Sequence, residues 1–98
     1  MTTKATNPEA AYDLRLFVSG ASPNSVKAIN NLIEICETHI RGQYNLEIID
    51  VYQQKDLAEQ EQIVALPMLI KKLPLPLRKL LGDMSDKVKV LEGLGVIS

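Results

Sequence analysis

The sequence contains little of what redox or metal chemistry needs. Among its 98 residues there is one cysteine, Cys36, one histidine, His39, and no tryptophan. A single cysteine cannot form an internal disulfide or a dithiol pair, and one cysteine with one histidine cannot build the usual zinc site. We therefore expect neither a bound metal nor a cofactor.

A charge imbalance and long apolar runs are missing as well. Eleven Lys and Arg residues against twelve Asp and Glu residues leave a formal net charge of -1. Such a chain has no general attraction to nucleic acid or to an anionic membrane. No apolar run reaches the roughly 18 residues that cross a bilayer. We expect a cytoplasmic protein that binds neither nucleic acid nor membrane.

What is present suits one small globular domain. Hydrophobic residues make up 46% of the chain, which is more than a disordered segment carries. The first eleven residues are small or polar and lack the apolar middle of a secretory signal. The sequence predicts a flexible tail at 1–11 and a single domain at 12–98.

The first half of the domain predicts a strand, a helix and a second strand. Residues 14–18 are rich in strand formers. Ser22 suits the N-cap and Pro23 the first position of a helix that Gly42 ends. The strand at 46–51 alternates little, as expected for a strand covered on both faces. The apolar positions of the helix are spaced by three and four: Val26, Ile29, Leu32, Ile33, Cys36 and Ile40.

The second half predicts a short helix, a hairpin and a last helix. Asp56 is the candidate cap of the short helix. Residues 68–73 and 77–81 predict two paired strands, and Gly82 ends the second. Ser85 is the candidate cap of the last helix, whose apolar positions include Val88, Leu91 and Leu94.

The element order is β-α-β-α-β-β-α, which predicts an α/β, thioredoxin-like fold with a mixed sheet and helices on both faces. The sequence predicts the secondary structure of the last third of the chain less clearly than that of the rest. Gly93 and Gly95 stand near the end of the last helix among β-branched residues, and glycine costs about 1 kcal/mol relative to alanine in a helix interior.

In a thioredoxin-like enzyme the reactive dithiol lies at the start of the first helix, where the helix end favours the thiolate. Here both candidate sulfur positions are serines, Ser22 and Ser25. One interpretation is that they cap the helix. The alternative is a serine that activates a bound thiol such as glutathione. Cys36 lies within the apolar pattern of the helix and is interpreted as a core residue.

Pro67 directly precedes the third strand. In the predicted fold this is the position of a cis proline that faces the start of the first helix, so we predict a cis bond there. The alternative is a trans proline that merely begins the strand.

Four basic residues lie on the predicted hairpin: Lys71, Lys72, Arg78 and Lys79. They predict a local basic patch on a nearly neutral molecule. One interpretation is a solvated strand edge whose charges prevent aggregation. The other is a docking surface for an acidic partner. Three tyrosines and one phenylalanine give no stacking motif for nucleic acid.

Several segments, in order and at the right spacing, resemble the KaiB family of the cyanobacterial circadian clock. The most specific is the run from Leu73 to Lys87, which includes the prolines Pro74 and Pro76 and Gly82. The resemblance extends from about Tyr12 to Leu94. The other matching segments are 16–25, 48–51, 57–59 with Ile63, and 65–69.

The resemblance implies a protein that is not an enzyme. KaiB proteins bind the N-terminal ring of the ATPase KaiC and sequester KaiA, and a clock-output histidine kinase competes for the same ring through a related domain. The family is also metamorphic. One state is thioredoxin-like and binds KaiC; the other has the order βαββααβ and forms tetramers, so self-association belongs to the alternative fold.

The resemblance also assigns roles to single residues. Lys71, Arg78 and Lys79 match basic residues of the half that changes fold. Lys55 and Glu59 match the second-helix region that faces KaiC. The positions that match the family's fold-switching features are Pro67, Pro74, Pro76, Gly82 and Gly93, the three prolines belonging to a segment whose isomers differ between the folds.

The chain also departs from the family pattern. Gly95 replaces an acidic residue, Leu75 a proline and Leu66 a threonine, and the acidic C-terminal tail is missing. These departures suit a divergent paralogue that stays mainly in one fold. We expect the thioredoxin-like state at rest. The alternatives are the tetrameric KaiB fold and an adaptor that acts outside the clock.

Overall fold

A computed structural model describes residues 2–4, 10–63 and 65–97. Five strands and three helices occur in these ranges. In chain order they are β1 (Thr2–Lys4), β2 (Tyr12–Val18), α1 (Pro23–His39), β3 (Tyr44–Asp50), α2 (Lys55–Gln60), β4 (Met68–Leu73), β5 (Arg78–Leu81) and α3 (Lys87–Leu94).

The strands form one mixed sheet in the order β1-β3-β2-β4-β5. β2 and β3 are parallel and are joined by α1, so they form the predicted βαβ unit. β4 runs antiparallel to β2, and β5 runs antiparallel to β4. The predicted order from β2 onward and the predicted hairpin are both confirmed.

The N-terminal strand was not predicted. Thr2 pairs with Ile49 and Lys4 with Glu47, in antiparallel register. The prediction of a flexible tail is therefore wrong for these three residues; residues 1 and 5–9 lie outside the described part of the chain. The physical reason is that β3 would otherwise be an edge strand with unpaired backbone groups, and an extended segment nearby can pair with them.

The sheet separates two apolar clusters. The larger cluster holds α1 and α3 against one face, through alternate strand residues such as Leu14 and Leu16. The smaller one lies on the opposite face under α2 and consists of Phe17, Ile49, Met68 and Ile70, with Val51, Leu57 and Ile63 packed against it. Successive strand residues point to opposite faces, so the two clusters follow directly from the alternation.

Helix α1 begins as predicted, but the face that it buries against the sheet is rotated relative to the predicted apolar face. The Ser22 hydroxyl caps the helix by accepting from the Ser25 N–H. Val26 and Ile33 belong to the predicted apolar face of the helix, but they are 44% and 37% exposed. The helix instead meets the sheet through Ser25, Ala28, Leu32, Ile35 and Cys36. Small residues in this stripe let the backbone lie close to the strands.

Three other helix details differ from prediction. Helix α1 ends at His39, with Ile40 and not Gly42 as its C-cap. Gln54, not Asp56, stands at the N-cap of α2. Asp86, not Ser85, caps α3, because its carboxylate accepts from the Lys89 N–H at 3.1 Å.

The buried face of α3 also differs from prediction at one position. Val88 is 57% exposed, whereas Val90, Leu91 and Leu94 are buried. The side chain of the last predicted core position, Leu94, is fully buried.

The prolines of the second half all follow cis peptide bonds: Leu66–Pro67, Leu73–Pro74 and Leu75–Pro76. The prediction of a cis bond at Pro67 is confirmed. The Pro67 carbonyl accepts from the Gly82 N–H at 3.1 Å, so the start of β4 is tied to the turn that follows β5. Gly82 has a φ of 106°, which a residue with a side chain rarely adopts.

Gly93 allows α3 to approach β5 closely. A Cβ atom at Gly93 would lie 2.6 Å from Cδ1 and 2.9 Å from Cδ2 of Leu80. These distances are well inside van der Waals contact, so any side chain at position 93 displaces Leu80 or the helix.

We expect Gly93→Ala to lower the free energy of unfolding by about 1 kcal/mol. Overpacking against Leu80 destabilises by about 1–3 kcal/mol, and the higher helix propensity of alanine offsets about 1 kcal/mol of this loss. In a Leu80→Ala background the new methyl group has room, so the same substitution should stabilise the protein instead. Urea unfolding of the four proteins measures this change of sign. An equal loss in both backgrounds would contradict the packing explanation.

Candidate functional site

The corner between β2 and α1 is where a thioredoxin-like enzyme would carry its thiols. Three serine hydroxyls fill it here. Ser22 Oγ donates to Ser25 Oγ at 2.8 Å, and Ser19 Oγ lies 3.1 Å from Ser22 Oγ and 3.4 Å from Ser25 Oγ. The Ser19 N–H donates to Ser25 Oγ at 3.1 Å. The hydroxyls satisfy one another and the backbone at the helix start.

This hydrogen bonding makes the corner a structural element. Ser25 is fully buried, and Ser22 uses its oxygen as the helix cap. The hydrogen-bond partners of both hydroxyls are serine oxygens and backbone N–H groups, and a nucleophilic serine needs a base within hydrogen-bond reach. The geometry therefore favours the capping interpretation of Ser22 and Ser25 over thiol activation.

Cys36 is buried in the larger apolar cluster, as predicted. Burial, together with the nearby Glu37 carboxylate, raises the pKa of the thiol to about 12. At neutral pH the side chain therefore stays protonated and lacks the thiolate that thiol chemistry requires.

Beside the serine corner lies a shallow depression lined by Ser19, Ser22, Leu66 and Pro67, together with Pro23 and Asn24. The predicted juxtaposition of Pro67 with the start of the first helix is thus present. In the described part of the chain no cluster of three or more His, Cys, Asp or Glu side chains could hold a metal ion.

The four basic residues of the hairpin do not form one patch. Lys71 pairs with Arg78 across the two strands, and Ile70 pairs with Lys79. Directly paired residues share a face and successive residues alternate. Lys71 and Arg78 therefore lie on the α3 side of the sheet, and Lys72 and Lys79 on the α2 side. The predicted single patch is wrong, because the alternation of the strands divides it.

On the α2 side the cations contact one residue, Glu61, through its carboxylate or its backbone carbonyl. Glu61 follows α2, and its carboxylate pairs with Lys72 Nζ and lies 3.5 Å from an Arg15 nitrogen. Its backbone carbonyl lies 3.4 Å from Lys79 Nζ. Arg15 also lies 3.9 Å from Glu47. These contacts hold the end of α2 to the sheet, since α2 itself contains no buried residue.

Lys55 and Glu59 are exposed on α2, one helical turn apart. They share the side of the sheet with Lys79 but not with Lys71 and Arg78. The residues for which partner binding was predicted thus occupy two separate surfaces, and the structure does not bring them together.

On the α3 side, among the residues that the structure describes, neither cation forms an ion pair. Lys71 is only 4% exposed, and Arg78 beside it is exposed. Burial lowers the pKa of the Lys71 ammonium, and the charge of Arg78 lowers it further. This pair was not recognised from sequence, although the two-residue alternation of β4 already predicts that Lys71 and Lys72 point to opposite faces.

The fold has close counterparts among solved structures. The chain superimposes on chloroplastic thioredoxin z with a TM-score of 0.73, covering 90% of this chain and 78% of that one at 18% identity. The N-terminal domain of Synechococcus elongatus SasA gives a TM-score of 0.71, covering 96% and 92% of the two chains at 23% identity. The class is thus a thioredoxin-like domain, here with serines at both thiol positions.

Sequence comparison identifies the family. Residues 15–96 match the KaiB domain. The circadian clock oscillator protein KaiB of Synechococcus elongatus is 46% identical over 91 residues, covering 93% of this chain and 89% of the relative. The protein of the same name from Picosynechococcus is 50% identical over 86 residues, covering 88% and 83%. The chain belongs to the KaiB family, which confirms the resemblance drawn from its motifs.

In the described residues no helix has the length and apolarity needed to span a bilayer.

If the serine corner keeps the geometry of a dithiol site, Ser22→Cys together with Ser25→Cys should form an internal disulfide. The two hydroxyl oxygens already lie 2.8 Å apart, and a disulfide needs only a further approach to about 2.05 Å between the sulfurs. Thiol titration and mass spectrometry after incubation with oxidised glutathione measure the bond. The two single variants serve as controls. Two thiols that stay free in the double variant would contradict this prediction.

Proposed function

We propose that this protein is a non-catalytic regulator of the circadian-clock type that docks on the N-terminal ATPase ring of a KaiC-type protein in the cytoplasm. The observation that carries the proposal is that a KaiB-family sequence adopts the thioredoxin-like arrangement. The family resemblance associates that arrangement with ring binding. Sequestration of KaiA and competition with a clock-output histidine kinase belong to the same proposal.

The absence of catalysis is part of the proposal and is supported by the serine corner. The hydroxyls of Ser22 and Ser25 are bonded to one another at 2.8 Å, and Cys36 is buried with a raised pKa. A thiol-dependent reaction would need an accessible thiolate or an activated hydroxyl. The described contacts of these residues supply neither.

Two surfaces are candidates for docking, and both use the hairpin. The first carries Lys55, Glu59 and Lys79 on the α2 side. The second carries Lys71 and Arg78 on the α3 side. Exposed charge steers association and selects partners. Reversal of the hairpin charges therefore tests whether the hairpin contributes to docking.

Fold switching in the second half is a further part of the proposal. Helix α3 has eight residues and contains Gly93; a helix this short is unstable without packing. It is held by Val90, Leu91 and Leu94 against the sheet and by an ion pair at 3.6 Å between Lys87 Nζ and Glu34 of α1. The hydrogen bond from Asn31 Nδ2 to the Asp83 carbonyl at 2.9 Å ties the turn before α3 to α1. Because so short a helix depends on its packing for stability, we expect a second packing of this segment to lie within a few kcal/mol of the first.

We expect Arg78→Glu together with Lys79→Glu to weaken binding to the N-terminal ring of a cyanobacterial KaiC at least tenfold, that is by about 1.4 kcal/mol or more. Biolayer interferometry with the immobilised ring measures the affinity.

The matched control is Lys27→Glu together with Arg41→Glu, because it changes the net charge equally at exposed positions outside the hairpin. This control should bind like the natural sequence. Equal weakening in both double variants would reject a role for the hairpin. A folded wild-type protein that does not bind the ring would reject the clock function and favour an adaptor role elsewhere.

Backbone chemical shifts test the resting fold. We expect strand shifts for Met68–Leu73 and Arg78–Leu81 and helix shifts for Lys87–Leu94, as in the structure. A second, slowly exchanging set of signals confined to the second half would support fold switching. Strand shifts at 88–96 in the main species would show that the tetrameric KaiB fold predominates instead.

A further inference from the structure

The two edges of the sheet differ among the residues that the structure describes. At one end of the strand order β1 pairs with β3, whereas β5 is the last strand at the other end. No described segment pairs with the outer side of β5. Arg78, Lys79 and Leu81 of this strand are exposed, so its outer side faces solvent.

The hairpin register determines which backbone groups of β5 point outward. The Gly82 N–H donates to the Pro67 carbonyl at 3.1 Å, one step beyond the last residue pair of the hairpin. Hydrogen-bonded and non-hydrogen-bonded pairs alternate along an antiparallel ladder. Positions 78, 80 and 82 therefore bond to β4, and the N–H and C=O groups of Lys79 and Leu81 point away from the sheet.

The outer edge of β5 is only partly protected against pairing with another strand. Edge strands are commonly protected by charged residues, by proline or by a covering segment. Here Leu77 and Leu81 lie on either side of Lys79 along the edge and are 47% and 53% exposed. Exposed apolar side chains beside unpaired backbone groups favour the addition of another strand.

An open cavity of about 150 Å³ lies between the end of β5 and the start of α3. Its apolar lining residues are Leu80, Leu81, Met84 and Val90, and the rest of the lining comes from the other residues of segment 82–86 and from Lys89. A cavity of this volume admits a group about the size of benzene. One aliphatic side chain on the α3 side of an added strand can therefore fill it.

The charges near the edge favour different side chains on its two sides. At the cavity the carboxylates of Asp83 and Asp86 accept backbone hydrogen bonds, so an acidic side chain entering there would meet like charge. On the α2 side Lys79 Nζ lies 3.4 Å from the Glu61 backbone carbonyl, and no carboxylate of the described residues pairs with it. An added strand is thus best apolar towards α3 and acidic towards Lys79.

We propose that β5 is a docking edge for an extended segment of a partner protein in which apolar and acidic residues alternate. The backbone groups of Lys79 and Leu81 bond to this segment, its apolar side chains face the cavity, and its acidic side chains face Lys79. This inference deepens the proposed function and rests on it for the existence of a partner.

A second copy of this chain fits the edge less well than such a partner. Two β5 strands side by side would bring two copies of Arg78 and two of Lys79 together along strands of four residues. Like charges across paired strands are destabilising, whereas a segment of opposite charge is attracted.

The first test uses a peptide in place of the partner. A seven-residue peptide of alternating valine and glutamate, blocked at both ends, is titrated into ¹⁵N-labelled protein at constant ionic strength. We expect saturable shifts of the amides of Lys79, Leu81 and Val90. A peptide with lysine in place of glutamate should bind roughly tenfold more weakly or less. A peptide with threonine in place of valine should also bind roughly tenfold more weakly, because the cavity then buries a hydroxyl group.

A matched pair of variants separates backbone pairing from charge. Lys79→Pro removes the outward N–H at an edge position where proline is compatible with a sheet. Lys79→Thr loses the same charge but keeps the N–H. The proline variant should bind the valine–glutamate peptide roughly tenfold more weakly than the threonine variant. Backbone shifts of β4 and α3 that agree between the two variants show that the fold is intact.

Hydrogen exchange of the natural sequence gives a readout that needs no variant. In the free protein the amides of Lys79 and Leu81 should exchange fast and that of Leu80 slowly, because only Leu80 bonds to β4. The peptide should slow exchange at Lys79 and Leu81 roughly tenfold or more. The N-terminal KaiC ring should protect the same two amides.

Three outcomes would overturn the docking edge. They are a peptide that causes no shifts or protection, equal peptide binding by the two Lys79 variants, and a wild-type dimer that Lys79→Pro dissociates, since a second copy would then be the occupant. Equal binding of the valine and threonine peptides would reject the role of the cavity.

The ring experiment separates the edge from the proposed function. A protein that binds the peptide as expected but not the ring would reject the proposed function and leave the docking edge standing. Ring binding without protection of Lys79 and Leu81 would reject the use of the edge in that complex.

Discussion

The antiparallel pairing of β4 with β2 is the constraint on which the rest of the second half depends. It places Leu69 opposite Leu16 and Met68 opposite Phe17, which fixes the face that every later hairpin residue occupies. From this register follow the burial of Ile70 under α2, the packing of α3 on the other face and the division of the basic residues. A shift by one residue would exchange the two faces completely.

The same register explains why residues adjacent in sequence have different roles. Lys71 and Lys72 are neighbours, yet the side chain of Lys71 is largely buried on the α3 side of the sheet, whereas Lys72 pairs with Glu61 on the α2 side. On the α2 side charge is used for structure, since Glu61 anchors a helix that has no buried residue. On the α3 side no ion pair is found for Lys71 or Arg78 within the described residues, and Arg78 is exposed.

The serine corner has no thiol where a thioredoxin-like enzyme carries its reactive pair. The helix start that would stabilise a thiolate is occupied by hydroxyl groups that bond to one another, with Ser25 fully buried. The backbone around the serine corner consists of the turn after β2, the capped helix and the cis bond before Pro67. The fold by itself therefore does not define the function of this protein, which has to be argued from its side chains and surfaces.

Local patterns in the sequence were sufficient for the order of elements from β2 to α3, for the cap at Ser22 and for the family. These features depend on neighbouring residues, as caps, turns and periodicity do. The sequence did not reveal β1, the rotated stripe of α1 or the burial of Lys71. Each of these depends on contacts between segments far apart in the chain: β1 with β3, α1 with the sheet, and β4 with β5 and the end of α3. Only the tertiary structure decided them, because the burial of a side chain is set by what packs over it.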